Sequence, residues 1–303
     1  MNQKNSKTVF CTLTGRPNVG KSSILNALVG EKIAIVTDKP QTTRTRIQGI
    51  LTRDEVQFVF LDTPGFHLAK NKLSDFMVET VRQSVVDTDL TVFVADASRG
   101  GSPDAGELAL LGELKAKGRR CILAMNKVDL LEKKEDLLPI LDAYSKAYDF
   151  ESIVPVSAKE GTQLSVLLDE IASFAQEGPL YFPDDTLSDQ PERVIMGELL
   201  REQALRLLDR EVPHGIGVLV ERMSDREDSD IVDIDAVIYC EKESHKGIVI
   251  GKGGSMLKKI SSAAREEMEK FLGCRVNLQC WVKVKEGWRN RDSIIRMLGF
   301  VKE

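Results

Sequence analysis

Long hydrophobic runs are missing from this sequence of 303 residues. No stretch of 18 apolar residues occurs, so the sequence predicts no membrane-spanning helix. The polar residues 1–7 lack the apolar core of a signal peptide. The five cysteines are odd in number, and no two have CxxC spacing. The cysteine pattern therefore argues against a disulfide framework or a zinc site and favours a reducing, cytoplasmic location.

Glycine and proline follow no period, which excludes a collagen-like or low-complexity chain. A composition of 42% hydrophobic and 29% charged residues is ordinary for a globular protein, and the length fits about two domains. Charge is divided unevenly, because residues 242–303 carry a net charge of +7 and the rest of the chain −12. This asymmetry indicates either a C-terminal part that contacts a polyanion or an ordinary solvated surface.

Short apolar runs alternate with helical patterns in the first half of the chain. The runs cover residues 8–14, 56–61, 90–95, 121–125 and 153–156, and the helical patterns cover 72–87, 105–117, 132–147 and 163–175. This alternation predicts an α/β domain at residues 1–176, with a mostly parallel sheet and helices on both faces.

The pattern changes after residue 176. Residues 177–192 contain three prolines and five acidic residues without apolar periodicity, and they predict a linker. A helix, two strands, a short helix, a glycine-rich turn, a helix and a strand follow. This order predicts an α+β domain at residues 193–303 with a basic C-terminal tail.

A phosphate-binding motif follows the first predicted strand and opens the first helix. The match to GxxxxGK[ST] is Gly15-Arg16-Pro17-Asn18-Val19-Gly20-Lys21-Ser22. Its glycines let backbone N–H groups face a phosphate, and the helix N-terminus adds its dipole. We expect Lys21 to reach the outer phosphates and the Ser22 hydroxyl to bind Mg²⁺.

Three further motifs end strands of the same predicted sheet. The first is Asp62-Thr63-Pro64-Gly65, in which Asp62 suits a Mg²⁺-linked water and Gly65 can offer its N–H to a terminal phosphate. The second is Asn126-Lys127-Val128-Asp129, in which the Asp129 carboxylate can accept two hydrogen bonds from guanine but not from adenine. The third is Ser157-Ala158-Lys159, which can supply a backbone N–H to the guanine oxygen.

The four motifs in this order resemble the translation-factor-related GTPases, and within them the Era family of bacterial GTPases, which assemble the small ribosomal subunit. The resemblance covers nearly the whole chain and includes the segments Gln41–Arg46, Phe66-His67 and Tyr181–Asp185. It implies hydrolysis of GTP to GDP and a nucleotide site that extends to Phe66. It also implies that Thr43 is the switch-loop ligand of Mg²⁺, with Thr42 as second candidate, alongside Ser22 and Asp62.

A KH pattern lies in the C-terminal region. Residues 249–260 read V-I-G-x-x-G followed by an apolar, basic helix, and the surrounding order of elements is that of a type II KH domain. A plain helix–turn–helix is the alternative to an RNA site. The predicted RNA-contacting residues are Ile250, Gly251, Lys252, Gly253, Gly254, Lys258 and Lys259. We expect Leu257, Ile260 and Trp281 to be core residues, and Trp288 could offer a stacking surface.

The resemblance implies that the RNA is the 3′ end of 16S rRNA, and that the protein acts in 16S rRNA processing and 30S subunit assembly. It further implies a cytoplasmic monomer with some peripheral membrane association. Two other hypotheses remain at this point. One is an RNA-binding scaffold with a degenerate nucleotide site, and the other is a GTPase coupled to RNA modification.

The sequence offers more than one candidate for the group that promotes hydrolysis. Many GTPases carry a glutamine just after the glycine that ends the Asp62–Gly65 motif, where this chain has Phe66, followed by His67. Asn18 resembles the P-loop asparagine of potassium-activated GTPases, so K⁺ is a candidate activator. The residues predicted to take part in catalysis are Lys21, Thr43, Gly65 and Asn18, with His67 as a less favoured base.

Overall fold

The computed structural model describes residues 6–39, 41–65, 71–86, 88–227 and 229–300. The chain folds as two compact units. The first comprises Met1–Ala34, Thr43–Leu68 and Met77–Asp189, and the second comprises Ile35–Thr42, Ala69–Phe76 and Gln190–Glu303. None of the helices within the described ranges is both long and apolar enough to cross a membrane.

The first unit is built on a sheet of seven strands. They are β1 (Lys7–Gly15), β2 (Ile47–Arg53), β3 (Val56–Asp62), β4 (Leu90–Asp96), β5 (Cys121–Asn126), β6 (Ser152–Pro155) and the short β7 (Gln176–Glu177). The order is β2-β3-β1-β4-β5-β6, and β7 pairs with the start of β1. Of these seven strands, β2 and β7 run antiparallel to their neighbours. The predicted mostly parallel sheet is confirmed.

Helices cover both faces of this sheet. They are α1 (Lys21–Val29), α2 (Lys72–Val86), α3 (Ala105–Ala116), α4 (Leu137–Ala147) and α5 (Leu164–Ala172). Alternate residues of one strand enter different cores: Val92 and Val94 pack with α1 and α5, whereas Phe93 packs with α3 and α4. Burial on both faces explains why the strands read as unbroken apolar runs.

The segment predicted as a linker is hydrogen-bonded to the first unit up to residue 188. The fully buried Gln57 side chain accepts from the Tyr181 and Phe182 N–H groups at 2.8 and 3.1 Å, and it donates to the Phe182 carbonyl at 2.9 Å. The Ile50 N–H donates to the Leu187 carbonyl at 2.8 Å. These contacts fix the segment even though it lacks apolar periodicity, because the carboxamide of Gln57 satisfies its backbone groups.

The second unit has an α+β core. Its elements are α6 (Glu192–Leu207), β8 (Gly217–Asp225), β9 (Ile231–Cys240), α7 (Glu243–Ile250), α8 (Ser255–Leu272), β10 (Arg275–Val284) and α9 (Asp292–Met297). The sheet order is β10-β9-β8, with β8 antiparallel and β10 parallel to β9. The predicted order of elements is confirmed.

Helix α6 carries two buried charges, Arg201 and Glu202, which are 1% and 0% exposed. Both bind backbone atoms of the segment 35–42, which we call the α6-bound segment. The Val36 N–H donates to Glu202 Oε1 at 3.0 Å, and Arg206 joins the Val36 carbonyl (3.0 Å) to Glu202 (2.9 Å). Arg201 donates to the Thr42 carbonyl and pairs with Glu198. Buried charges require such partners, so the α6-bound segment completes this helix.

The burial of the two tryptophans is the opposite of what the sequence predicts. Trp281, expected in the core, is 44% exposed, because the odd-numbered residues of β10 point away from the helices. Trp288, considered as a stacking surface, is fully buried, and its Nε1 donates to the Gly215 carbonyl at 2.8 Å.

Candidate functional site

The phosphate-binding loop connects β1 to α1, and its two glycines are required by its geometry. Gly15 has φ +147°, and a Cβ there would lie 2.3 Å from the Val94 carbonyl oxygen. Gly20 has φ +98°, and a Cβ there would lie 2.2 Å from Asn126 Nδ2. The loop therefore packs against the ends of β4 and β5, a close approach that only glycine permits.

Lys21 is buried within this loop. Its Nζ donates to the carbonyl oxygens of Arg16 at 2.9 Å and Gly15 at 3.3 Å. Burial lowers the pKa of Lys21 to about 8, against the raising effect of Asp62. A buried ammonium with neutral carbonyl partners is suited to an anion, because a phosphate would supply the opposite charge.

Three oxygen-bearing side chains meet beside the loop. Ser22 Oγ donates to Asp62 Oδ2 at 2.6 Å and lies 2.9 Å from Thr43 Oγ1, which lies 3.4 Å from Asp62 Oδ2. Burial raises the pKa of Asp62 to about 6. Asp62 is fully buried, and its Oδ1 has no hydrogen-bond partner in the part of the chain that the structure describes. Two hydroxyls and a carboxylate with an unsatisfied oxygen fit Mg²⁺, which prefers oxygen ligands.

The structure separates the two threonine candidates. Thr43 joins Ser22 and Asp62, whereas Thr42 Oγ1 bonds to Thr37 Oγ1 and to the Lys39 carbonyl, each at 2.7 Å. Thr43, and not Thr42, therefore lies beside the other two oxygen-bearing side chains, and its role as a Mg²⁺ ligand stays a prediction.

The motif Asp62–Gly65 also lies against the phosphate-binding loop. Thr63 Oγ1 donates to the Leu13 carbonyl at 2.9 Å, and a Cβ at Gly65 would come within 2.7 Å of Pro17. Phe66 and His67 lie outside the described residues, so their predicted roles stay predictions.

The base-recognition motifs come together at the ends of β5 and β6. Asn126 Nδ2 donates to the Val19 carbonyl at 2.9 Å, and Asn126 Oδ1 accepts from the Ala158 N–H at 3.1 Å. Ser157 Oγ donates to Asp129 Oδ1 at 2.6 Å. These bonds join three of the predicted motifs, while Lys159 is exposed at the rim.

The glycine-rich turn of the second unit lies between α7 and α8. Gly251, Gly253 and Gly254 have φ values of +72°, +58° and +80°. A Cβ at Gly253 or Gly254 would meet no atom within 4 Å, so their glycine requirement is conformational. Lys252, Lys258 and Lys259 are exposed here, and Ile250 is half-buried. This is an open, positively charged backbone turn.

The two expected core residues of α8 differ in burial. Ile260 is fully buried, and Leu257 is half-buried against the same core. Together they attach the glycine turn to the sheet.

Asp104 and Asp96, which contact predicted residues of the nucleotide site, were missed in the sequence. Arg16 forms an ion pair with Asp104, which caps the N-terminus of α3. Asp96 ends β4 and binds Lys127. The signal for Asp96 was available, since it ends a parallel strand at the edge where Asp62 and Asn126 end theirs. The ion pair between Arg16 and Asp104 joins distant parts of the chain, so no local sequence pattern indicates it.

Comparisons with known proteins agree with this geometry. A family model described as "50S ribosome-binding GTPase" matches residues 10–127, and a KH domain model matches residues 211–289. The chain is 48% identical to GTPase Era of Clostridioides difficile, over 97% of this chain and 98% of that protein. It is also 48% identical to GTPase Era of Caldanaerobacter subterraneus subsp. tengcongensis, over 96% and 97%.

Two solved structures match over 98% of this chain and the whole of the other chain, each with a TM-score of 0.93. One is a variant Era of Aquifex aeolicus bound to GDP·AlF₄⁻, at 36% identity. The other is Era in complex with MgGDPNP and nucleotides 1506–1542 of 16S ribosomal RNA, at 35% identity.

Proposed function

The chain belongs to the Era family of GTPases, and from this premise we propose that it hydrolyses GTP at the loop–Thr43–Asp62 site and binds the 3′ end of 16S rRNA through its glycine turn. Its role is in 16S rRNA processing and 30S subunit assembly. The observation that carries the proposal is the oxygen cluster of Ser22, Thr43 and Asp62 beside a glycine loop that presents Lys21.

Each side chain has a defined task in this proposal. Ser22 and Thr43 would hold Mg²⁺, and Asp62 would hold one of its waters. The metal ion supplies charge neutralisation at the phosphates. Lys21 binds the outer phosphates, and the Gly65 N–H orients the terminal one. Asp129, oriented by Ser157, selects guanine, and the Asn126 carboxamide holds the Ala158 backbone N–H beside it.

RNA binding is assigned to Ile250–Gly254 with Lys258 and Lys259. The turn has successive glycines at positive φ and exposed lysines, and KH turns of this type clamp a single-stranded backbone. We further propose that the protein works as a cytoplasmic monomer with a peripheral fraction at the membrane.

The RNA assignment is tested with Gly253→Asp and Gly253→Asn. Both residues tolerate positive φ, so the pair differs in charge at nearly constant shape. We expect Gly253→Asp to lose affinity for a fluorescent RNA of the 16S 3′ end at least tenfold more than Gly253→Asn, because its carboxylate faces a phosphate. GTP hydrolysis without RNA should be unchanged. Equal affinities of the two variants would place the RNA surface elsewhere.

Potassium is proposed as the activator of hydrolysis, held against the phosphates by Asn18. A cation there would neutralise the charge that develops during phosphoryl transfer. We expect faster phosphate release in K⁺ than in Na⁺ at equal ionic strength. The difference should vanish in Asn18→Ala, and His67→Ala should change the rate only a few-fold. Equal rates in both salts would exclude the cation, and a large loss in His67→Ala would instead make His67 the catalytic group.

A further inference from the structure

Asp96 is a buried carboxylate at the end of β4 that belongs to none of the four motifs. Its side chain is 4% exposed, and in the sheet it lies opposite Asn126. Asp96 Oδ2 accepts from Lys127 Nζ at 2.6 Å. Asp96 Oδ1 accepts from the Ser98 N–H at 3.0 Å and from Ser98 Oγ at 2.6 Å. Both carboxylate oxygens are therefore occupied.

Lys127 is held at both ends. Its backbone is left-handed, with φ +65°, a conformation that few non-glycine residues adopt. Its ammonium donates to Asp96 and, at 2.8 Å, to the Asn18 carbonyl. The side chain thus spans from the base-recognition motif to the phosphate-binding loop.

Lys127 is the main charged partner of Asp96. A carboxylate taken out of water requires an opposite charge at close range, because desolvation otherwise disfavours its ionised form. Arg99 lies farther away, with its Nε at 3.6 Å, and its side chain is 48% exposed. Lysine has a flexible stem, so its ammonium takes one position only where fixed partners define it.

We propose that Asp96 is a positioning residue for guanine nucleotide binding. It fixes the Lys127 ammonium against the Asn18 carbonyl and so sets the spacing between the base-recognition motif and the phosphate-binding loop. The inference rests on the nucleotide site proposed above. The bridge lies outside the Ser22–Thr43–Asp62 cluster and meets the phosphate-binding loop at the backbone carbonyl of Asn18 rather than at its side chain. Its loss therefore weakens nucleotide affinity and changes the chemical step little.

The test is the isosteric variant Asp96→Asn, with affinity measured by titration of fluorescent N-methylanthraniloyl-GDP. We expect the dissociation constant to rise about 10- to 100-fold, the range for loss of a charge-assisted hydrogen bond. The rate of hydrolysis at saturating GTP should stay within about threefold of the wild type. Arg99→Ala and Ser98→Ala are the matched controls, since both leave the Asp96–Lys127 contact in place, and they should bind GDP as the wild type does.

A double-mutant cycle with Lys127→Met separates positioning from structural support. If Asp96 acts through Lys127, Asp96→Asn has little further effect on GDP affinity in the Lys127→Met background. Additive losses in the cycle, or wild-type affinity of Asp96→Asn, would overturn the inference. Wild-type affinity of Lys127→Met itself would instead contradict the proposed nucleotide site.

Asp96→Glu keeps the charge and moves it by one methylene, so it replaces Asp96→Asn if that variant does not fold. Weaker GDP binding by Asp96→Glu, with thermal unfolding of the nucleotide-free protein unchanged, supports positioning. Wild-type binding by Asp96→Glu overturns it.

Discussion

Thr42 and Thr43 are adjacent and chemically identical, yet the structure gives them different partners. Thr43 reaches Ser22 and Asp62, while Thr42 closes a turn on Thr37 and Lys39. Local sequence cannot make this distinction, since it depends on which hydroxyl meets a carboxylate 19 residues further along the chain. At the residue scale, therefore, the chemistry follows from the partners that the fold supplies.

Base selection belongs to this scale. Asp129→Asn exchanges one carboxylate oxygen for an N–H donor, while the remaining oxygen can still accept from Ser157 Oγ. We expect GTP affinity to fall and XTP affinity to rise, because xanthine presents an acceptor where guanine has its amino group. Competition between the two nucleotides checks this. A loss for GTP with no gain for XTP would make Asp129 structural, and Ser157→Ala controls for its orientation.

The pH dependence of Mg²⁺ binding follows from Asp62. Its pKa of about 6 lies above the ordinary 3.8, because burial disfavours the carboxylate. A proton therefore competes with Mg²⁺ at lower pH. We expect affinity to be constant above about pH 6 and to fall below it, by at most about tenfold per pH unit. Mg²⁺ titrations of GDP retention between pH 5 and 8 measure this, and affinity that is flat down to pH 5 would contradict it.

At the scale of elements, a helix or strand could be predicted from the sequence where residues within the element itself determine it. The strands of the parallel sheet and helices α3 and α8 follow from apolar runs and periodicity within each segment. The period of β10 was visible too, but not which of its faces the helices would cover, so Trp281 was misplaced. The binding of residues 177–188 to the first unit depends on Gln57, more than 100 residues away, and left no signal in the segment.

Helix α6 illustrates the same limit. An amphipathic helix buries one face, whereas the structure buries an almost continuous stretch of α6 from Ile195 to Leu205, including Arg201 and Glu202. The side of α6 that carries Arg201 and Glu202 lies against the α6-bound segment. In one of these hydrogen bonds, the two residues, Val36 and Glu202, are 166 positions apart in the sequence. No periodicity in α6 encodes that contact.

The buried charge of α6 leads to a stability prediction. Glu202→Ala removes the acceptor of the Val36 N–H and the partner of Arg206. We expect a loss of about 2–3 kcal/mol in the unfolding free energy of the second unit, at the low end for a broken buried ion pair because Arg206 is 46% exposed. Denaturant unfolding measures it. Lys270→Ala, in a pair whose lysine is 73% exposed, should leave the unfolding free energy nearly unchanged, and equal losses in the two variants would contradict the prediction.

At the scale of the whole molecule, the charge asymmetry predicts a salt dependence. Three exposed lysines lie at the glycine turn, namely Lys252, Lys258 and Lys259, and each would neutralise one phosphate. With a slope of about −0.7 per contact for a single strand, affinity for the 16S 3′ end should fall roughly 20-fold between 50 and 200 mM salt.

Lys258→Ala should reduce the magnitude of this slope by about 0.7 and weaken RNA binding. The exposed Lys134, on the acidic part of the chain, is the matched control, and Lys134→Ala should leave the slope unchanged. RNA affinity that does not change with salt would contradict electrostatic binding of RNA by the glycine turn. Equal changes of the slope in Lys258→Ala and Lys134→Ala would indicate that the RNA responds to the overall charge of the protein and not to the turn.

The packing of residues 35–42 in the second unit also affects when that unit can fold during synthesis. During synthesis, Val36 leaves the ribosome long before Glu202, its partner 166 residues later. At about 5–20 residues per second, that interval is roughly 10–30 s. During this interval Ile35, which is buried in the core of the second unit, lacks its native contacts, and so does the backbone of Val36. Most of the first unit has emerged by the end of the interval. The nascent chain therefore completes this unit only after translation has passed α6, so a ribosome stalled near residue 190 would carry the segment in a form that proteases can reach.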